Sequence, residues 1–237
     1  MLPKPLCPVG NVPLVDLAIE RAQSLTDAVA VNVHTFPAAM QAHLGRRVHL
    51  SIEDRPGLGT AGALGVLRPW IDGRPTLVLN ADSWCPGPLD HLASGWDGDR
   101  IRLLVVGSDE FGPRSQIAGA LLPWTDIAPL EAEPSGLYEV SWAAAHRDGR
   151  IEVVRHEGPF VDCGTPARYL AANLAASSGA SVIGAGATVA GTVVRSVVWP
   201  GARVHPREVL TDAIRYGRDA TVLVRRTGAS TATDARS

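Results

Sequence analysis

Apolar residues change their spacing along this chain in a way that marks helices and strands in alternation. Leu14, Leu17, Ala18, Ala22 and Leu25 recur at helical intervals behind Pro13, a residue suited to a first helical turn. The run Ala28-Val29-Ala30-Val31-Asn32-Val33 is short, continuous and rich in β-branched side chains, the pattern of a buried strand. Pro37 to Leu44 reads as a second helix, and Val48-His49-Leu50-Ser51-Ile52-Glu53 alternates with the period of two expected of a strand. A glycine-bearing turn and a helix from about Thr60 to Leu67 come next, then the apolar run Thr76-Leu77-Val78-Leu79-Asn80-Ala81. Strands and helices alternating at this spacing predict βαβ units around a mostly parallel sheet, an α/β fold of Rossmann-like type.

After a helix that includes Asn173 the texture changes. Ile183 and Val189, and again Val198 and Val204, stand six residues apart with small residues and glycines between them, the period of a hexapeptide β-helix. Two such pairs make a stub shorter than the roughly three repeats needed to stand alone, so it must lean on the preceding domain or on a partner chain. From Thr227 to Ser237 the sequence is Ser, Thr and Ala with few apolar anchors, which predicts disorder. The expected organisation is an α/β domain over residues 1–178, a β-helix stub over 179–226 and a disordered tail over 227–237.

Composition narrows the function classes. A formal net charge of −2 offers no bulk attraction to nucleic acid or to an anionic membrane, so any recognition of phosphate has to be local. The six tryptophans are scattered and form no stacking platform for single strands. No run of eighteen apolar residues and no basic segment followed by an apolar stretch is present, which predicts a cytoplasmic protein without a membrane span or signal peptide. Cys7, Cys85 and Cys163 lie far apart, without metal-ligand spacing, and read as small buried or half-buried residues.

Three places carry candidate chemistry. Lys4 is the one lysine of the chain, against twenty-one arginines among the 22 basic residues, and a compact ammonium suits phosphate. The turn Leu58-Gly59-Thr60-Ala61-Gly62 opens a helix, a geometry favourable to any anion. The strand ending at Asn80-Ala81 delivers Asp82 and Ser83 to the carboxyl edge of the sheet, where open α/β folds bind ligands. An aspartate there is more often a cap or turn residue, but it can also coordinate Mg²⁺ on phosphate oxygens.

Pro3-Lys4-Pro5-Leu6 running through Pro8-Val9-Gly10-Asn11 into Pro13-Leu14 resembles the end of the signature of sugar-1-phosphate nucleotidyltransferases, the NDP-sugar pyrophosphorylases that include mannose-1-phosphate guanylyltransferase-like proteins. Glu53 followed by Leu58 to Leu64 is similar to that family's base-binding segment, and Asp162-Cys163-Gly164-Thr165-Pro166 to its Asp-x-Gly-Thr-Pro element. The resemblance implies a nucleotide site at Lys4, Gly59, Thr60, Ala61, Gly62 and Asn80, and Mg²⁺ held by Asp82 and Asp162. Ile117-Ala118-Gly119-Ala120 resembles the strand whose glycine lets the hexose approach, and Glu139 could supply a carboxylate for sugar hydroxyls. The bland alternatives are a strand glycine at a bulge and a solvated glutamate.

The implied reaction transfers a nucleoside monophosphate from an NTP to a hexose 1-phosphate, with Lys4, Asp82 and Asp162 as the catalytic residues. The implied β-helix is left-handed and serves packing and contacts between copies in a homo-oligomer. Two departures stand out. Many family members hold the sugar phosphate with a second lysine, for which only Arg114, Arg147 or Arg155 are available as substitutes. In the family a strand, a glycine-rich loop and an arginine precede the lysine, and this sequence begins where they should end. Either the start lies upstream of Met1 or half the nucleotide site is absent, and without that strand its neighbours would expose apolar edges. A non-catalytic nucleotide- or sugar-binding homologue is the alternative function, and a β-helix adaptor with a vestigial α/β domain is a third.

Overall fold

A computed structural model describes residues 2–53 and 57–224, so the tail predicted to be disordered lies outside the described residues. The chain forms two compact units, one of residues 1–7 and 12–160, the other of residues 8–11 and 161–237.

In the first unit, helix α1 (Leu14–Gln23) follows Pro13 and buries Leu14, Val15 and Ile19. Strand β1 (Ala30–Val33) leads into α2 (Pro37–Leu44), which buries Met40 and Leu44 and stops at Gly45 with φ 57°. Strand β2 (His49–Ile52) lies parallel to β1, from Ala30 opposite His49 to Val33 opposite Ile52. Helix α3 (Gly59–Ile71) runs one turn beyond its predicted end and passes through Pro69. Leu67 and Ile71, one turn apart, are both buried, and that burial offsets the lost hydrogen bond that a mid-helix proline costs.

The apolar run after α3 pairs only as β3 (Thr76–Val78); its last residues already form the approach to a turn. A short helix α4 (Asp90–Ala93) precedes β4 (Ile101–Val106), β5 (Ile117–Leu122), α5 (Trp124–Ile127), α6 (Ala143–Arg147) and β6 (Ile151–His156). These strands make a sheet in the order β3-β5-β4-β6. It is mixed rather than mostly parallel: β4 and β6 are parallel, while β5 runs antiparallel to both of its neighbours. The reason is local, because residues 107–116 join β4 to β5 by a link too short for a parallel crossover. Arg102, 9% exposed, is held by Glu152 and by the carbonyls of Leu92, Ser94 and Gly95, so its buried charge is fully engaged.

Two sheets therefore exist in this unit, β1-β2 and β3-β5-β4-β6, with no strand pairing between them among the described residues. Among the described residues, three clusters form core in this unit. One around Leu103, Val105, Leu122 and Ile127 packs under α3, another around Leu89, Leu92 and Leu104 under α4, and a third joins Leu6, Val15, Ile19, Val33, Met40 and Leu44.

In the second unit, α7 (Pro166–Ala176) starts at Thr165, whose side chain accepts the Arg168 N–H at 3.3 Å, with Pro166 in the first turn. The segment Pro8–Asn11 is tied to it. The Asn173 side chain accepts the Gly10 N–H at 3.1 Å, and the Tyr169 hydroxyl donates to the Pro8 carbonyl at 2.5 Å. Beyond α7 the chain returns to the same three faces repeatedly. Strands β7 (Val182–Ile183), β10 (Val197–Val198) and β13 (Ala213–Tyr216) pair in parallel. So do β8 (Thr188–Val189) with β11 (Arg203–Val204), and β9 (Thr192–Val194) with β12 (Val209–Thr211). An antiparallel strand β14 (Ala220–Leu223) covers β13 and ends the stack. The two predicted aliphatic pairs meet in register, Ile183 on Val198 and Val189 on Val204. Val198 and Val204 are buried with Ala202, Leu210 and Ala213, while Ile183 and Val189, on the first coil, are 39% and 40% exposed.

Candidate functional site

The turn that opens α3 is held from below by a buried carboxylate. Glu53, 8% exposed, accepts hydrogen bonds from the Asn32 side-chain amide at 2.7 Å and from the Leu58 N–H at 2.8 Å, so it ties β1 to the turn. His34 stands beside it, Nδ1 3.8 Å from the Glu53 carboxylate, with its ring against Gly57, where a Cβ would come within 3.0 Å. On the other side the Ser135 N–H donates to the Leu58 carbonyl and the Ala61 N–H to the Ser135 carbonyl.

Gly59, Gly62 and Gly65 fall three residues apart on one face of α3. A Cβ at each would collide with the carbonyl oxygen of Ser135, Glu133 and Glu131 respectively. Gly59 also has φ 67°, which an L side chain rarely adopts. These glycines let the backbone of residues 131–135 lie directly on the helix. The three-residue glycine spacing was the sequence signal for that packing, and the motif reading had passed over it.

A cavity of about 720 Å³ opens next to this turn. Its exposed lining residues include His34, Gly59, Thr60, Asn80, Asn32 and Arg74, Glu53 adds a buried carboxylate, and most of the remaining lining is aliphatic. The structure thus brings Gly59, Thr60 and Asn80 to one rim. Ala61 and Gly62 are buried on the packed side of the helix. Lys4 is exposed in a single helical turn, Lys4–Leu6, and makes no ion pair among the described residues. Leu6 and Ala81 belong to the cluster around Val33, which places the Lys4 and Asp82 segments against the same patch of core. Asp82 is half-buried in the turn after β3, and its carboxylate has no hydrogen-bond partner among the described residues. Burial raises the thiols of Cys7 and Cys85, an effect on Cys7 that the Lys4 ammonium partly opposes.

Asp162 belongs to the second unit. One of its carboxylate oxygens accepts the Gly164 N–H at 2.9 Å and the other pairs with Arg168 at 2.7 Å. Gly119 is buried in β5, where the register with β4 shifts, and a Cβ there would touch Leu79 and Leu92. Glu139 is exposed in the helical turn Tyr138–Trp142, with its carboxylate over Gly136. Of the candidate arginines, Arg155 is engaged by Asp109 and Glu157, whereas Arg114 and Arg147 have no acidic partner among the described residues. No group of three or more His, Cys, Asp or Glu side chains able to hold a metal occurs among the described residues. Carboxylate oxygens are nonetheless the donors a hard divalent ion takes. The unengaged Asp82 fits that role, while Asp162 would first have to give up Arg168.

The first unit is thus an α/β fold in which a glycine turn, a strand-end aspartate and a cavity occur together. No family model matches the chain. A mannose-1-phosphate guanyltransferase of Emericella nidulans is 28% identical over 210 residues, covering 71% of this chain, and one of Neurospora crassa is 27% identical over 208 residues. The chain spans 57% of the length of each of these relatives, little more than half. Among solved structures, a putative glucose-1-phosphate thymidylyltransferase of Bacillus anthracis superposes with a TM-score of 0.63 at 15% identity, over 73% of this chain and 86% of that one. A Thermus thermophilus protein described as a mannose-1-phosphate geranyltransferase superposes with a TM-score of 0.63 at 16% identity, over 94% of this chain and 88% of that one. In sequence and in fold the chain is similar to sugar-1-phosphate nucleotidyltransferases.

Proposed function

We propose that the protein transfers a nucleoside monophosphate from an NTP to a hexose 1-phosphate. An oxygen of the sugar phosphate attacks the α-phosphorus, the bond from that phosphorus to the bridging oxygen breaks, and pyrophosphate leaves with the electron pair. No covalent enzyme intermediate is required, so the protein positions the reactants and offsets charge. The observation that carries this reading is the rim on which Gly59, Thr60 and Asn80 converge, braced by Glu53.

In this reading the turn seats the base, with Ala61 and Gly62 fixing its backbone, and Lys4 offsets phosphate charge. Asp82 and Asp162 would hold Mg²⁺, which supplies charge neutralisation at the α-phosphate and the leaving group when bound. Gly119 and Glu139 are assigned to the sugar side, and Arg114 or Arg147 is the better placed substitute for the missing lysine because neither is committed to an acid. The similarity to mannose-1-phosphate guanyltransferases makes GTP with mannose 1-phosphate the first pair to try. We read the stacked coils after α7 as a short left-handed β-helix that packs copies together. The exposed Val209 and Leu223, 68% and 71% accessible, support that role. No helix among the described residues is long and apolar enough to cross a membrane.

The test is pyrophosphate release with GTP and mannose 1-phosphate, and with UTP or dTTP and glucose 1-phosphate, each with and without Mg²⁺. Metal-dependent release with one pair is the expected result. The second reading, a binding protein without catalysis, is favoured by one observation, the open apolar cavity beside the rim. Calorimetric binding of NTP that is indifferent to Mg²⁺, without turnover, would decide for it.

A further inference from the structure

A second cavity of the first unit, of about 320 Å³, lies between α1 and the segment that follows Asp82, with Arg21 and Ser24 on one side and Cys85, Pro86 and Gly87 on the other. Cys85, 5% exposed, is a free thiol in that wall. Two side chains converge on its sulfur. His156, at the end of β6 and 6% exposed, places Nε2 3.4 Å from Sγ, and the same nitrogen lies 3.3 Å from the Pro159 carbonyl oxygen. His91 stacks on the imidazole, ring centroids 6.5 Å apart and planes 15° from parallel, which holds the ring in its plane. Arg21 arrives from α1. Its Nε donates to the Gly87 carbonyl at 3.3 Å, while Nη2 is buried without an oxygen or nitrogen acceptor among the described residues. The guanidinium bears instead on the Cys85 sulfur.

A cysteine that only fills space has no use for a base at its proton and a cation at its sulfur. Burial raises the Cys85 thiol and the Arg21 guanidinium opposes that rise, so the resting group is the neutral thiol and its reaction needs a base already in place. His156 meets that need. With its own proton on Nδ1 it accepts the thiol hydrogen at Nε2, and once protonated there it has the Pro159 carbonyl to donate to. A buried guanidinium N–H without an acceptor is costly, and an oxygen arriving at the sulfur would satisfy it. The cavity has the volume of roughly ten waters at about 30 Å³ each, which suits a small oxidant rather than a bulky disulfide.

We propose that Cys85 is a peroxide-reactive thiol, oxidised to the sulfenic acid by hydroperoxides small enough to enter this cavity, with His156 as its base and Arg21 as donor to the incoming oxygen. The sulfur attacks the nearer peroxide oxygen, the S–O bond forms and the O–O bond breaks. The thiol proton passes to His156 and then to the departing oxygen, which leaves as water from hydrogen peroxide. Sulfur is oxidised by two electrons and the peroxide is reduced by two. This is independent of the proposed transfer reaction, and its test reads mass rather than turnover.

The experiment exposes the native 237-residue chain to limiting hydrogen peroxide, quenches with catalase, denatures in urea with dimedone to trap sulfenic acid, and reads each cysteine by peptide mass. The expected result is oxidation of Cys85 at least about tenfold faster than that of Cys163, which is as buried, and faster than that of Cys7, the most exposed of the three. A chain denatured before the peroxide is added should show no such preference. His156→Gln, folded by its Tm, should slow oxidation of Cys85 at least about tenfold, and Arg21→Gln should slow it as well. Oxidation of Cys85 no faster than of Cys163, an order set by exposure with Cys7 first, or an unchanged rate in folded His156→Gln would each overturn the proposal and leave Cys85 a packing residue. The order of the three cysteines in the native chain decides the matter even where a variant does not fold.

Discussion

The two units of this protein solve the problem of strand edges in opposite ways. In the second, the short strands of one coil pair in parallel with those of the next, and an antiparallel strand, Ala220–Leu223, covers the last strand of one face. In the first, two sheets face a common cavity with their edges unjoined. Stacked coils need only their nearest neighbour, so such a unit is complete wherever it is capped. Most of the candidate chemistry lies in the first unit, and Asp162 alone of the candidate catalytic residues lies in the second.

The largest expected effect sharpens that division of labour. Asp82→Ala should lower nucleotidyl transfer by at least about 100-fold while circular dichroism stays unchanged, since Asp82 has no structural partner to lose. Retained turnover in a folded variant would remove Asp82 from the mechanism. Next in size, Gly62→Val should destabilise the first unit by about 3 kcal/mol, because the new side chain meets the Glu133 carbonyl at a backbone that cannot yield. Denaturant titration checks it, and exchange rates at Val197 and Val198 should not follow. Leu210→Ala, at 5% exposure in the stacked coils, should cost about 2 to 3 kcal/mol and act on the second unit alone. If both variants loosen both units equally, the comparison fails.

Two smaller effects probe the second unit further. Thr165→Ala should cost about 1 kcal/mol by leaving the Arg168 N–H without its cap. Glu208 accepts a hydrogen bond from Arg215, and that contact first, then one from the His205 N–H, holds its carboxyl below the usual carboxylate range. A carboxyl depressed on folding stabilises above its unfolded value, and the benefit disappears as pH falls through the depressed one. Acid titration of Tm should therefore lose its steepness in Glu208→Gln, a small change because the group is at the surface.

Much of this could be read from the chain. Period-two and helical spacing located β1, α2 and β2 within a residue or two, because each buries one regular face. The order of Lys4, the glycine turn and Asp82 pointed to the family. What escaped was set by tertiary partners. The antiparallel course of β5 depends on a short link between two strands that look alike in sequence. The brace from Glu53 to Leu58 joins a strand end to a turn, and no periodicity announces such a bond. Nor could spacing reveal that Pro8-Val9-Gly10-Asn11 is fastened by Asn173, more than 160 residues later. The left-handed turn at Gly10 and Asn11, φ 58° and 69°, was the local clue, and it marks a sharp reversal without naming its partner.

The coil repeat also governs how this protein can change in length. Register partners are separated by 15 residues between Val182 and Val197 and by 17 between Val197 and Ile214. A gain or loss of about that many residues adds or removes a whole coil and leaves every inward aliphatic facing inward. Half that number would turn Val204 and Leu210 out to solvent. Length variation in the second unit is thus quantised, and homologues that differ there should differ by whole coils.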